Sequence, residues 1–325
     1  MLLFAGTPCI CSKYFFLIGA NIEYVKKLEL RKSAGNTFYM KNGTSEAICN
    51  RVVNSENVKR VSDHVPRHLK PLNDEQLGHY LAGLIDGAGQ FTYRGSHIMF
   101  TSKDASLAYY IKTQIGYGRV WKSRYWTYHL EVENEIGLSR VINLINGKLK
   151  NKSKVNELVN NISSLNNKIY PNINITTDLN NNFDNHWFAG FCDVYEFGVF
   201  QINFKTDLPY IIKEIYLNFE IYHIDPLIIN MVKEHLGGNI SYSEPGKNRI
   251  TYYNSISMGS AKKVINYFDK YHLQSKKHIS YLKWRKVYTL LQDKEHLTEK
   301  GLFKIERIHQ SQIIYLLAPK SLRAL

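Results

Sequence analysis

The stretch from His79 to Phe91, HYLAGLIDGAGQF, decides how this chain folds. It predicts a short apolar helix that contains small residues and ends at an Asp and a Gly. A second copy, HWFAGFCDVYEFGVF, starts at His186 and repeats the internal Ala-Gly pair. Because small residues let two helix backbones approach closely, we expect the two helices to pack together. The segments that follow them should then lie side by side and form a shared site.

The sequence downstream of each copy is repeated as well. VINLINGKL from Val141 is echoed by VINYFDKYHL from Val264, and IGYGRV from Ile115 is echoed by LGGNIS from Leu236. A single copy would fit equally well with an apolar core helix that stops at glycine. Two copies with matching downstream sequence indicate tandem duplication of a domain, since solenoid repeats are much shorter, at about 20–50 residues.

Within each repeat the hydrophobic periodicity predicts a helix, two strands, a helix, two strands and a helix. This order predicts an α+β fold, in which each repeat forms a four-stranded antiparallel sheet with helices packed on one side. We predict a poorly ordered N-terminal extension, a first repeat, an Asn-rich linker, a second repeat and a C-terminal tail. Their respective bounds are residues 1–64, 65–165, 166–182, 183–310 and 311–325.

The composition favours a polyanionic partner. The chain has 42 Lys and Arg against 28 Asp and Glu, which gives a formal net charge of +14. An excess of this size favours nucleic acid, and the alternative is a merely basic soluble protein. The four cysteines show neither zinc-site spacing nor a disulfide framework, so we expect free thiols. The apolar patches near the N-terminus are shorter than the about 20 residues of a membrane span, so we expect no membrane partner.

The motif LAGLIDGAG resembles that of the LAGLIDADG homing endonucleases and intron maturases, in their single-chain form with two repeats. The resemblance extends from about Val65 to about Arg307. It implies a monomer with an internal pseudo-dimer, and duplex DNA or structured intron RNA as the partner. Intron-encoded members of this kind reside in mitochondria, so the resemblance also implies a mitochondrial location.

The strands after each motif helix carry basic, amide and aromatic side chains, and the family uses its sheets to bind nucleic acid. In the major groove Arg, Lys, Asn and Gln can read base edges. Because successive residues of a strand face opposite sides, about half of such a set can meet a ligand. The alternative is an ordinary solvated sheet face. The candidates for nucleic-acid contact are Arg94, Arg119, Lys122, Arg124, Gln201, Asn203, Lys205, Lys247 and Arg249.

A long basic helix at about residues 276–294 has two equally good interpretations. It either contacts a phosphate backbone or serves as a scaffold helix with a solvated basic face. Its basic residues are Lys276, Lys277, Lys283, Arg285 and Lys286.

The resemblance also locates the chemistry. Members of the family cut DNA with carboxylates at the ends of the motif helices, which bind magnesium. The metal-binding acid is the eighth letter of the motif, and here that position is Ala88, whose methyl group cannot ligate a hard cation. The second motif is two residues longer, so either Glu196 or Tyr195 takes the metal position. The candidate catalytic residues are Asp86, Asp193 and Glu196, with Glu196 as the metal ligand and Mg²⁺ as the cofactor of an active protein.

We therefore expect an intron-encoded protein of this family that binds nucleic acid through two antiparallel sheets. Its DNA cleavage should be impaired by the loss of motif acids. The alternatives are a non-catalytic RNA-binding maturase and a structural RNA-binding component of a larger particle. Metal-dependent cutting distinguishes the first hypothesis from the other two.

Overall fold

The computed structural model describes residues 60–317, except for 101–103, 124–126, 166–174, 179, 181, 195–197, 208–210, 244–249 and 256. Residues 51–205 and 214–325 belong to one compact unit, which contains both motif helices. The described strand residues 206–207 and 211–213 belong to a second unit.

The first repeat begins with the motif helix, and two hairpins and three further helices follow. Its elements are α1 (Asp74–Ala88), β1 (Gly89–Thr92), β2 (Gly95–Phe100), α2 (Ala105–Ile115), β3 (Arg119–Lys122), β4 (Tyr128–Val132), α3 (Glu135–Ile145) and α4 (Lys152–Leu165).

The second repeat follows the same order and adds helices at its end. Its elements are α5 (Trp187–Asp193), β5 (Val199–Asp207), β6 (Ile211–His223), α6 (Pro226–Leu236), β7 (Asn239–Tyr242), β8 (Thr251–Ser255), α7 (Met258–Lys270), α8 (Lys277–Gln292), a 3-10 turn (Glu295–Leu297) and α9 (Glu299–Leu317). The last helix therefore continues seven residues into the segment that the sequence assigned to a tail.

The strand orders are β1-β2-β4-β3 in the first sheet and β5-β6-β8-β7 in the second. These two four-stranded antiparallel sheets confirm the predicted α+β fold. One face of each sheet is buried beneath helices, and Phe91, Ile98 and Leu130 lie on that face in the first repeat. Phe219 and Tyr253 take the same role in the second. The opposite faces carry the polar residues of the alternating pattern.

Local signals set the start of α1. The side chain of Asn73 accepts a hydrogen bond from the backbone N–H of Gln76 at 2.9 Å and so caps the helix. The side chain of Gln76 accepts in turn from the N–H of Leu72 at 2.8 Å. Two of the backbone N–H groups around the helix start are thereby satisfied, which fixes where the motif helix begins.

Helices α1 and α5 pack directly against each other through Gly83 and Gly190, as the small residues predicted. A Cβ on Gly83 would lie 1.9 Å from the carbonyl oxygen of Trp187. A Cβ on Gly190 would lie 2.0 Å from the carbonyl oxygen of Tyr80. Any side chain at either position would overlap with backbone, so this helix pair depends on both glycines.

The segment just before the first repeat packs on α8 of the second repeat. Val61 exchanges two backbone hydrogen bonds with the side-chain amide of Gln292, at 2.9 and 3.1 Å. The guanidinium of Arg285 donates to the carbonyl oxygens of Ser62 and His64 at 2.9 and 3.1 Å. The described residues 60–64, which the sequence placed in the poorly ordered extension, thus join the packed structure. For residues 1–59 that expectation lies outside the described part of the chain.

The basic residues of α8 favour the scaffold interpretation of this helix. Arg285 is 2% exposed and donates to both carboxylate oxygens of Asp269, at 2.9 to 3.1 Å. Lys283 donates to the carbonyl oxygen of Ser311 at 3.0 Å. These cations are used to join helices, so few of them remain for a phosphate backbone.

Candidate active site and nucleic-acid interface

Asp86, the sixth letter of the first motif, lies near the end of α1 and is completely buried. One oxygen of Asp86 accepts from the backbone N–H of Lys150 at 2.7 Å and from the indole N–H of Trp187 at 2.8 Å. The other oxygen accepts from the N–H of Asn151 at 3.3 Å. Burial raises the pKa of Asp86 to about 7, against the effect of these hydrogen bonds. Asp86 thus ties α1 to the start of α4 and to the other motif helix.

Asp193 occupies the equivalent position in α5 and makes equivalent contacts. One oxygen accepts from the hydroxyl of Tyr80 and from the backbone N–H of Gln274, both at 2.6 Å. The other accepts from the N–H of Ser275 at 3.2 Å. Burial raises the pKa of Asp193 to about 6, and the hydrogen bonds oppose that rise. Asp193 therefore ties α5 to the start of α8 and to α1.

These contacts are reciprocal between the repeats. Tyr80 and Trp187 each lie six residues before the Asp of their own helix, and each donates to the Asp of the other helix. Both carboxylates are 0% exposed, and both oxygens of each accept hydrogen bonds. Their geometry is that of groups that hold helix ends in place. The prediction that Asp86 and Asp193 are catalytic therefore stays a prediction.

The surface end of α1 offers no charged ligand at the motif's eighth position. Ala88 is half-buried, packs against the core and is the last residue of the helix. An alanine side chain has no atom that coordinates a metal or moves a proton. The first half of the site thus has the framework of the motif without its acid.

At the end of α5 a lysine ammonium binds the helix carbonyls. The Nζ atom of Lys277 donates to the carbonyl oxygens of Cys192 and Val194, at 2.7 Å each. A cation at a helix C-terminus is favourable because the carbonyl dipoles point toward it. Tyr195 and Glu196, the candidates for the second metal position, lie outside the described residues. The role of Glu196 as catalytic residue and metal ligand therefore stays a prediction.

The described residues do not fit a divalent metal at this site. Ala88 supplies no oxygen, the two motif aspartates are engaged in backbone hydrogen bonds, and an ammonium occupies two carbonyls of the second helix. Within the described ranges, no group of three or more His, Cys, Asp or Glu side chains is arranged to hold a metal ion.

The outward face of the first sheet carries the guanidinium of Arg119, the carboxylate of Glu131 and several aromatic rings. In register, His97 pairs with Glu131 and Glu131 pairs with Arg119. The side chain of Arg119 is 73% exposed and donates to Glu131 at 3.0 Å. Arg94 lies in the exposed β1–β2 turn, with its guanidinium 5.3 Å from the ring centre of Tyr93. Arg94 and Arg119 thus lie where a ligand on this face could reach them.

A stack of rings runs along the same face. The ring of His129 lies 4.3 Å from that of Trp121 and 5.0 Å from that of His97, nearly parallel to both. Nε2 of His97 and Nδ1 of His129 are 2.8 Å apart, so one ring donates to the other. Burial lowers the pKa of both histidines, which favours the neutral rings that such a bond needs. The face therefore offers flat, partly exposed aromatic surface next to Arg119.

The outward face of the second sheet carries amides together with Lys205, Glu220 and the ring pair of Tyr222 and Tyr252. Gln201, Asn203 and Lys205 alternate with buried residues along β5, as the strand period predicted, and the Lys205 side chain is 61% exposed. Lys205 lies 3.5 Å from Glu214. Lys122 in the first sheet has the opposite parity, since it pairs with Tyr128, but it is exposed at the end of its strand. Arg124, Lys247 and Arg249 lie outside the described residues.

Sequence reasoning missed the roles that three residues have in building this site. Tyr80 and Trp187 were available as a signal, because an aromatic donor stands at the same position of both motif helices. Lys277 gave no such signal, because its partners lie more than eighty positions earlier in the chain.

None of the helices in the described part of the chain has both the length and the apolar character needed to cross a membrane.

Comparison with known proteins identifies relatives encoded in introns. A family model described as LAGLIDADG endonuclease matches residues 188–288. A Schizosaccharomyces pombe protein named as an uncharacterized cox1 intron-2 37.2 kDa protein is 44% identical over 327 residues, which cover 95% of this chain and 96% of that protein. The intron-encoded DNA endonuclease aI3 of Saccharomyces cerevisiae is 26% identical over 295 residues, 74% of this chain and 70% of that protein. The intron-encoded RNA maturase bI4 of the same yeast is 26% identical over 213 residues, 61% of this chain and 31% of that protein.

Two solved structures share the fold. The LAGLIDADG homing endonuclease I-LtrWI bound to target DNA has a TM-score of 0.56 at 21% identity, and the match covers 73% of this chain and 97% of that one. I-SmaMI bound to uncleaved DNA with calcium ions has a TM-score of 0.54 at 21% identity, with coverages of 74% and 98%. The likeness at these identities concerns the architecture of the two repeats.

Proposed function

Since the chain belongs to the LAGLIDADG endonuclease family, we propose that it binds duplex DNA through the outward faces of its two sheets and that its cleavage of DNA is impaired. The observation that carries the first part is the pair of polar sheet faces, one per repeat, on a chain with a formal net charge of +14. The second part rests on the ends of the two motif helices. Ala88 at the end of α1 has no atom that can ligate a metal, and at the end of α5 the ammonium of Lys277 binds two carbonyl oxygens.

The charge and the faces support binding in complementary ways. A net excess of positive charge attracts a polyanion through counterion release, without regard to sequence. Arginine and amide side chains on a sheet face supply the hydrogen bonds that distinguish base edges. Arg94 and Arg119 supply both positive charge and hydrogen bonds to base edges. Gln201 and Asn203 supply only the hydrogen bonds. Two related structures with bound DNA have the same two-repeat architecture, which supports duplex DNA as the ligand.

The state of the motif ends supports impaired cleavage. Two cuts, one in each strand, need an acid in each half of the site. The first half has Ala88 at the position where the family carries that acid. In the second half, the Lys277 ammonium already donates hydrogen bonds to two carbonyl oxygens, and it would repel a divalent cation nearby. If any cleavage remains, we propose that it requires Mg²⁺ and Glu196.

The single chain contains both motif helices, so it completes the α1–α5 interface without a partner. We therefore propose a monomer with an internal pseudo-dimer. We also propose a mitochondrial location, because the Schizosaccharomyces pombe relative is named for an intron of cox1, a mitochondrial gene. The second candidate function is a maturase that binds intron RNA. The likeness to the RNA maturase bI4 favours it, and maturase activity in the family does not need the metal acids.

The test of DNA as the ligand is a selection with the purified chain from a random duplex library, followed by competition. The selected duplex is labelled, and unlabelled random duplex or structured intron RNA is added at equal mass. The proposal expects a defined sequence to be enriched and to resist both competitors, with an affinity that falls steeply as salt is raised. Failure to enrich any duplex, together with tighter binding of the RNA, would overturn it in favour of the maturase.

A further inference from the structure

An acceptor-rich patch lies on the outward face of the second sheet. Glu220 in β6 pairs across the strands with Asn254 in β8. Asn218 precedes Glu220 by two residues in β6 and so lies on the same face. Gln201 reaches the patch from β5. The patch is defined here as Glu220, Asn218 and Asn254.

The carboxylate fixes the orientation of two amides. Glu220 accepts from the side-chain N–H of Asn218 at 2.6 Å and from that of Gln201 at 3.0 Å. A carboxylate only accepts hydrogen bonds, so each amide must turn its NH₂ group toward it. The amide oxygen of Asn218 therefore points away from Glu220, and the amide cannot turn over without losing that bond.

Two acceptor atoms of the patch are left without a donor. Asn218 is 7% exposed, and among the described residues its Oδ1 atom is buried with no hydrogen-bond partner. Within the same described ranges, the Oδ1 atom of Asn254 is also buried and unpartnered. Buried polar atoms nearly always have a partner, so these two oxygens give the patch unused capacity to accept hydrogen bonds.

Charge pairing does not explain the carboxylate of Glu220, in contrast to that of Glu131 in the first sheet. Glu131 lies on the outward face of the first sheet, and Arg119 neutralises it at 3.0 Å. In the described residues Glu220 takes part in no ion pair, and neutral amides hold it instead. An unneutralised carboxylate on a surface that meets a polyanion weakens binding to phosphate. Its presence favours a specific donor on the ligand.

We propose that this patch reads a cytosine in the half of the DNA site that the second repeat contacts, by accepting a hydrogen bond from the one N–H of its 4-amino group that the G·C pair leaves free. The proposal rests on the proposed function, because it requires duplex DNA on the outward face of the sheet. In the major groove the amino group of cytosine is a donor, and carboxylates accept from it.

The geometry disfavours the other bases. Thymine and guanine present acceptor oxygens in the major groove, which would face the oxygens of the patch. Adenine has an amino donor, but the neighbouring N7 atom is an acceptor and needs a donor from the protein. The usual asparagine contact with adenine uses both the amide oxygen and the amide NH₂. In Asn218 Glu220 already takes one of the two N–H donors and fixes the orientation of the amide, which disfavours that two-bond contact.

The test uses the duplex selected by the wild-type chain and two variants of that chain, Glu220→Gln and the matched control Glu131→Gln. Both changes remove one negative charge from an outward sheet face. We expect the wild type to prefer cytosine over thymine at one position of the second half-site by on the order of tenfold. Glu220→Gln should reduce this preference to less than about twofold while general DNA affinity is kept or increased. Glu131→Gln should leave the preference unchanged.

A second measurement does not depend on folding of a variant. The wild-type chain is offered a duplex in which the selected cytosine is replaced by a pyrimidin-2-one, which lacks the 4-amino group. We expect affinity to fall on the order of tenfold, which is the same loss that we expect for thymine. Equal binding of the two duplexes, or a cytosine preference that survives Glu220→Gln, would overturn the inference while DNA binding stands. Failure of the wild type to bind any duplex would instead overturn the proposed function, and the inference with it.

Discussion

The two motif helices have matching contacts inside the protein and different groups at their surface ends. Inside, Asp86 and Asp193 each bind two backbone N–H groups ahead of a later helix and one aromatic donor of the opposite helix. At the surface, α1 ends in the methyl group of Ala88, whereas the end of α5 is bound by the ammonium of Lys277. The contacts that hold the repeats together have been kept in both copies. The described groups at the surface ends of the two helices differ.

The sheet faces differ in the same way. Both repeats bury one apolar face under helices, yet the exposed face of the first carries Arg119 and a ring stack. The exposed face of the second carries amides around Glu220. Since phosphate contacts respond to charge and base contacts respond to hydrogen-bond pattern, we expect the first repeat to contribute more salt-dependent affinity. The second repeat should contribute more sequence preference.

The largest effect should come from breaking the shared helix interface. Gly83→Val should abolish folding, because even a Cβ would lie 1.9 Å from the carbonyl oxygen of Trp187. The control is Gly259→Ala in α7, where a Cβ would meet nothing within 4 Å. It should leave stability unchanged or raise it by about 0.5–1 kcal/mol. Circular dichroism and thermal melting check both variants, and a Gly83→Val protein that melts like the wild type would refute the interface.

The buried carboxyl of Asp86 should give stability a distinctive pH dependence. Its pKa is about 7 in the fold, against an ordinary value of 3.8, so the folded state binds more protons than the unfolded state between these pH values. The free energy of unfolding of the wild type, relative to Asp86→Asn, should therefore fall as pH rises from about 4 to about 7. Each such pH unit corresponds to about 1.4 kcal/mol, so the total is about 4 kcal/mol at most.

Chemical denaturation at several pH values measures this difference, and Asp74→Asn provides a control of opposite sign. The hydrogen bond from Arg140 lowers the pKa of Asp74, so the stability that Asp74 adds is present above its unfolded pKa and is lost as pH falls through the folded one. A difference between wild type and Asp86→Asn that stays flat with pH would mean that Asp86 is not buried as described.

The hydrogen bonds from Tyr80 to Asp193 and from Trp187 to Asp86 should contribute similar amounts to the free energy of unfolding. Each contribution should be smaller than the two effects above. Above pH 7, where Asp193 is ionised, Tyr80→Phe removes one donor at 2.6 Å and should cost about 1.5–3 kcal/mol. The matched control Tyr288→Phe changes a buried tyrosine of α8 away from the motif aspartates and should stay within about 0.5 kcal/mol. Urea titration measures both, and equal losses would show that the hydroxyl of Tyr80 does not support Asp193.

The smallest effect should come from removing Arg119 from the outward face of the first sheet, which tests the difference between the two sheet faces. Arg119→Gln should weaken binding to the selected duplex by about five- to tenfold and make it less salt-dependent. The control Arg140→Gln removes the same charge from α3, where the guanidinium binds Asp74 at 2.7 and 2.8 Å. It should leave binding within about twofold. Fluorescence anisotropy at several salt concentrations provides the measurement, and equal losses in the two variants would point to net charge alone.

The sequence predicted the architecture well, because the features that determine it are local or repeated. The cap at Asn73, the alternation along β5 and the glycines of the motif are all visible as short patterns. Duplication then implied that Gly83 and Gly190 face each other. The position of Ala88 at the end of α1 also followed directly from counting along the motif.

The environment of the site could not be predicted, because it depends on distant contacts. Asp86 is bound by Lys150 and Trp187, which lie 64 and 101 positions away. The sequence shows only an acid in a motif. The packing of the folded chain shows that this carboxylate is shielded from water and that both of its oxygens accept hydrogen bonds. Arg285 counted as a surface cation until its contact with Asp269 placed it inside the helix layer. The orphaned oxygen of Asn218 likewise has no sequence signal, since it follows from how Glu220 orients the amide.

The most direct test of the central claim is an Mg²⁺-dependent cleavage assay on the selected duplex. The wild-type chain is compared with Ala88→Asp and with Ala88→Asp combined with Lys277→Gln, each strand carrying its own label. The account predicts that the wild type binds this duplex and leaves both strands intact, and that Ala88→Asp introduces a nick in one strand. Cleavage of both strands by the wild type would contradict the account and show that the chain is a working endonuclease.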